Sequence, residues 1–148
     1  MIGLQPSAFL FCRFLLTISL TQGVAFSICF AIASLSRSYK TCNLLACLYF
    51  IFAIVFGGLF VNNSSDSAAM RYLSFIYYAF EVIMVNEFSG LTLLFNADGF
   101  AGLIISGSAI LDNYNLNEAD IGADIAILAS LIVALQIIAT LALKLKPV

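Results

Sequence analysis

Eight carboxylates, six bases and no histidine define the chemistry open to this 148-residue chain. Without histidine, the common zinc sites and the His-dependent dyads and triads cannot be built from these residues alone. The cysteines Cys12, Cys29, Cys42 and Cys47 lie in or beside apolar runs, with no CxxC spacing, and read as small packing residues. All the acids fall between Asp66 and Asp124. Two of them, Glu81 and Glu87, interrupt an apolar stretch, where a carboxyl must be paired, hydrogen-bonded or hydrated. Arg71 is the nearest base in sequence, too far from Glu81 for a same-turn pair. A two-carboxylate hydrolase would need a soluble cleft around its acids, and nothing in this apolar neighbourhood suggests one. The run DNYNLNEADIGAD (Asp112 to Asp124) resembles a Ca²⁺ loop only in composition, because the D-x-D-x-D-G register is missing. It reads as a solvated turn, with Asp120 near the cap of the helix that follows. No catalytic residue and no metal site is expected.

The elements that hold these residues are dictated by hydropathy. The chain is 63% hydrophobic and 9% charged, with a mean hydropathy of +1.09, whereas a soluble domain carries about 25% charged residues. That composition excludes an ordinary soluble domain and intrinsic disorder. A net charge of −2 leaves no electrostatic footprint for nucleic acid. Membrane lipid is the expected surrounding. Three spans of roughly 20 apolar residues each are expected at about 9–35, 43–61 and 121–143. The second has no charge and holds twelve Leu, Ile, Val or Phe residues, together favourable by about 5 kcal/mol. The first stretch is too long for a signal peptide and no basic segment precedes it.

Residues 72–95 also hold about a dozen strongly apolar side chains. Glu81 and Glu87 cancel that gain, at roughly 2.5–3.5 kcal/mol each inside a bilayer. Orientation gives a second argument. If this segment does not cross, Arg37 and Lys40 share a side with Lys144 and Lys146, as the positive-inside tendency favours. Residues 68–95 are therefore expected as helices that dip into or lie on the membrane, within an external loop spanning 62–120. The C-terminus is then cytoplasmic. Two overlapping sequons at Asn62 and Asn63 face the exterior, too near the membrane for glycosylation to be expected.

With those residues in view, GGLFVNNSS (Gly57 to Ser65) followed by RYLSFIYYAFEVIMVNEFSGL (Arg71 to Leu91) resembles the end of the membrane domain of G-subfamily ABC transporters, the white and breast-cancer-resistance type. The family pattern Y-x-S-x-x-x-Y-x-F-E-x-x-x-x-N-E-F-x-G is met by Tyr72, Ser74, Tyr78, Phe80, Glu81, Asn86, Glu87, Phe88 and Gly90. The stretch from Asp120 to Lys146 is similar to the family's last span. Departures include an external loop without cysteine, Gln136 in the last span and Thr140 where a Tyr is usual.

The resemblance implies an all-α integral membrane fold: the fourth to sixth helices of a six-helix domain, plus an external loop with re-entrant helices. It implies an ATP-driven exporter moving an amphipathic or lipid-like molecule, with two membrane domains paired as a homo- or heterodimer. ATP and Mg²⁺ would belong to a nucleotide-binding domain, since no G-x-x-x-x-G-K-[ST] loop occurs in these residues. By resemblance, Leu59 and Phe60 form an apolar plug, and Cys47, Ile51, Ile54 and Gly58 share its helical face and line the path. The bland alternative is that these residues face lipid or pack. Glu81 and Asn86 either brace moving re-entrant helices or cap helix ends and bond loop backbone. A plasma membrane is favoured over an organelle. The competing classes are a non-transporting truncated product or adaptor pairing with intact transporters, and an unrelated small channel.

Overall fold

The structure, a computed structural model, describes residues 7–58, 72–95, 103–114 and 116–145. Helix α1 runs Ala8–Leu35 and α2 runs Tyr39–Val55. Helix α3 covers Phe75–Phe88, and strands β1 (Thr92–Phe95) and β2 (Leu103–Ser106) follow it. Then come α4 (Gly107–Asn113), a 3-10 turn (Glu118–Asp120) and α5 (Ile121–Leu145).

Among the described residues, α1 and α5 are long and apolar enough to cross a bilayer, whereas α2 is a shorter apolar helix. At 1.5 Å per residue, α1 and α5 reach about 42 and 37 Å, α2 about 25 Å and α3 about 21 Å, against a hydrocarbon core of about 30 Å. The outward faces are apolar in the way lipid requires. Phe26 is 67% exposed, Ile51 60% and Val133 59%.

Gly23 of α1 faces Ile132 of α5, and Gln136 Nε2 donates to Ser27 Oγ at 3.3 Å. Residue numbers rise together along both helices, so α1 and α5 lie parallel. Helix α3 runs the other way. Phe75, at its start, packs in the cluster of Val24, Ile28 and Leu128, and Asn86, near its end, reaches the Leu10 carbonyl. It thus lies along α1 from the level of Ile28 back to Leu10, and against the N-terminal half of α5. Aromatic rings tie its start to α2: Tyr49 stacks on Phe75 at 6.4 Å and Phe50 meets it edge-on at 6.3 Å.

Several boundaries differ from the expected spans. Helix α2 begins four residues before position 43 and ends at Val55, not 61. Its termination follows from Gly58, whose φ of +99° breaks the helix. Any Cβ there would also meet the Phe80 ring at 3.0 Å, so α3 packs directly on this turn. The fold is helical as expected, apart from the short β1–β2 hairpin, antiparallel with Thr92 opposite Ser106. The end of the expected 68–95 helical stretch is therefore strand. Short Leu/Ile/Phe/Thr runs between turn glycines suit extended backbone once Gly90, at φ +73°, has ended the helical path.

Candidate functional site

Helix α3 gathers most of the motif. Its buried side chains, Phe75, Tyr77, Tyr78, Ala79, Glu81, Val82, Val85 and Asn86, surround the helix on more than one side. This is why its hydrophobic pattern has no clean solvent face. Buried Ser74, which precedes it, donates from Oγ to the Ala53 carbonyl at 2.7 Å and so fastens α3 to α2. Tyr78 donates its hydroxyl to the Tyr72 carbonyl at 3.1 Å. Burial pushes the Tyr78 phenol above its ordinary range, and Asp124, Tyr72 and Glu81 push it further.

Asn86 is 2% exposed. Its Nδ2 donates to the Leu10 carbonyl at 3.1 Å and to Glu87 Oε1 at 3.4 Å, joining the end of α3 to the start of α1. Phe80 lies over Gly58 and meets Tyr114 edge-on at 6.2 Å. Phe88 packs against the cluster of Val85, Leu111 and Leu116, which seats α4 on α3. Gly90 is exposed and takes the left-handed turn after Phe88.

Glu81 and Asp124 meet where α3 crosses the first turn of α5. Each is 4% exposed. Asp124 Oδ2 has no hydrogen-bond partner among the described residues. The solvated-turn reading of Asp112–Asp124 is thus corrected at its last residue, because α5 begins at Ile121 and carries Asp124 into the interior. The signal was the one that singled out Glu81, a carboxyl at the edge of an apolar helix. Among the described residues, no three of Cys, Asp and Glu converge as metal ligands would.

The expected path residues divide. Cys47, Ile51 and Ile54 lie on one exposed face of α2, while Gly58 is buried beneath Phe80. Leu59 and Phe60, the expected plug, lie outside the described residues, as do Asn62 and Asn63. A cavity of about 470 Å³ opens between α1, α2, α3 and α5, lined by Val24, Ile28, Ile32, Tyr49, Phe75 and Leu135 among others. Its walls are overwhelmingly apolar, and the Val24–Leu135 side continues the α1–α5 contact.

Residues 1–88 match the family described as ABC-2 type transporter. The chain is 30% identical to "ABC transporter G family member 24" of Dictyostelium discoideum, over 97% of this chain and 13% of that protein. It is 30% identical to "Protein white" of Drosophila melanogaster, over 99% of this chain and 22% of that protein. It is 24% identical to "ABC transporter ATP-binding protein/permease wht-1" of Caenorhabditis elegans, over 99% of this chain and 23% of that protein. The chain therefore spans less than a quarter of the length of these relatives.

Proposed function

This chain belongs to the ABC-2 type transporter family, as a G-subfamily membrane domain segment, and on that premise we propose that it forms part of the translocation path of an ATP-driven exporter. In this reading α1, α2 and α5 cross the membrane, and α3 dips into it from outside without crossing. The C-terminus is cytoplasmic, and the plasma membrane is the favoured location. A nucleotide-binding domain hydrolyses ATP, and a second half-transporter completes a dimer. The cargo is a small amphipathic or lipid-like molecule.

The observation that carries the reading is the match to transporter relatives across nearly the whole chain. The packing supports its finer parts. Parallel α1 and α5 require an odd number of crossings from the first to the last, which three spans satisfy and four do not. The Cys47–Ile51–Ile54 face of α2 is left open for a path, and an apolar lining accepts apolar cargo without stripping hydration from polar groups.

The test is ATP-dependent uptake of a fluorescent amphipathic dye into inside-out vesicles containing the assembled transporter. Ile51→Asp and Ile54→Asp are expected to cut uptake at least tenfold while membrane insertion is retained. Uptake unchanged in both variants would remove this face from the path. Uptake that does not depend on ATP would overturn the exporter reading itself.

A further inference from the structure

We propose that the end of the molecule where α1 and α5 terminate binds the phosphate headgroups of acidic membrane lipids, through Arg37, Lys40 and Lys144 with Tyr39 beside them. The packing of α1 on α5 brings these residues together. Gln136 bonds Ser27 across 109 positions, and Gly23 meets Ile132 in the same register. Carried along two parallel helices, that register sets Lys144 beside Leu35, the last residue of α1. Arg37 lies in the turn that follows, and Lys40 in the first turn of α2. Three bases distant in sequence therefore stand within about two helical turns of one another, and all three are exposed.

Carboxylates lie elsewhere. Every described carboxylate belongs to α3, to α4, to the 3-10 turn or to the first turn of α5. Exposed Asp112 and Asp120 mark the opposite end, where α5 begins and α4 is seated on the end of α3. Arg13, also toward that end, has its guanidinium over the Phe9 ring, 4.9 Å from the centroid. Bases thus predominate where α1 and α5 end, and acids where α5 begins. An anionic leaflet is attracted to the first end and repelled by the second.

The surroundings of the bases favour a lipid over a soluble anion. Tyr39 is 86% exposed, and Leu35 and Leu145 are exposed at the same level. Such side chains suit the boundary between acyl chains and headgroups, where tyrosine is enriched. Lysine and arginine stems lie along apolar surface there while their charged ends reach the phosphates. Arg37 can engage two phosphate oxygens at once, and the two lysines act as point charges. A soluble anion gains nothing from the apolar fringe, whereas a lipid is held by both parts. The inference rests on the membrane setting of α1 and α5 and not on transport.

The chain contains no tryptophan, so Tyr39→Trp places a single fluorescent reporter at the site. In vesicles of mixed composition, its quenching by brominated phosphatidylserine is compared with its quenching by brominated phosphatidylcholine. The reporter protein is expected to favour the serine lipid by about tenfold or more at low ionic strength. Arg37→Gln, Lys40→Gln and Lys144→Gln should each lower that preference about three- to fivefold, and the triple variant should bring it to within about twofold of parity. Concentrated salt should weaken it by screening. Parity in the reporter protein, or a preference that survives the triple variant, overturns the proposal. Two further arms separate other occupants. If inorganic phosphate displaces the lipid more effectively than sodium chloride of equal ionic strength, the site is one for a free anion and the headgroup assignment falls. If the preference is present in the chain alone and lost in the assembled transporter, the bases belong to a protein contact and the assignment falls equally. None of these measurements uses ATP or cargo, so the headgroup site and the exporter reading stand or fall separately.

Discussion

At the scale of single residues, the motif on α3 acts by tying backbone to backbone. The Ser74 hydroxyl is fully buried and spans from the start of α3 to the Ala53 carbonyl of α2. Ser74→Ala leaves that carbonyl without its side-chain donor and is expected to cost about 1–2 kcal/mol. The check is the thermal-aggregation midpoint in detergent, which should fall by several degrees; an unchanged midpoint would show the link to be dispensable. Glu81 is legible in the sequence because a carboxyl in an apolar run must be paired, hydrogen-bonded or hydrated. The burial of Asp124 is not. Asp124 sits at the junction of an acidic turn and an apolar helix, and either assignment was compatible with its neighbours. Only the start of α5 at Ile121 decides it.

At the scale of elements, length and glycine placement decide what composition leaves open. Hydropathy alone treats residues 72–95 as one span, yet the helix within it has 14 residues, about 21 Å, and stops before the hairpin. The carboxylate penalty is the reason the segment is expected not to cross. The strand at Thr92–Phe95 escaped notice because a four-residue apolar run looks the same in helix and strand. The hairpin is pinned to the end of α3 by Gly107, whose N–H donates to the Leu91 carbonyl at 2.7 Å. A Cβ at Gly107 would collide with the Phe88 carbonyl oxygen. Backbone cannot yield as a side chain does, so Gly107→Ala is expected to detach the hairpin from α3 at a cost of about 2–3 kcal/mol. Limited proteolysis reads this directly: cleavage between Leu91 and Gly107 should accelerate at least tenfold. Parent-like cleavage would mean that α3 and the hairpin are held together elsewhere.

At the scale of the whole molecule, the parallel packing of α1 and α5 is the physical constraint that sequence could supply only indirectly, through the placement of basic residues. The Gly23–Ile132 and Ser27–Gln136 contacts fix the two helices in the same direction. In the proposed three-span arrangement α2 returns the chain to the side where α1 began, and α3 leaves it there. Exposed positions Ser38, Asn113 and Lys144 report the outcome. Changed singly to cysteine in a cysteine-free chain, Ser38→Cys and Lys144→Cys are expected to react with impermeant reagent from one face of a sealed vesicle, and Asn113→Cys from the other. A fourth crossing by α3 would put positions 38 and 144 on opposite faces and bring 113 to the side of 38. That pattern would demand antiparallel α1 and α5, incompatible with both contacts, and would overturn the three-span arrangement together with the path built on it.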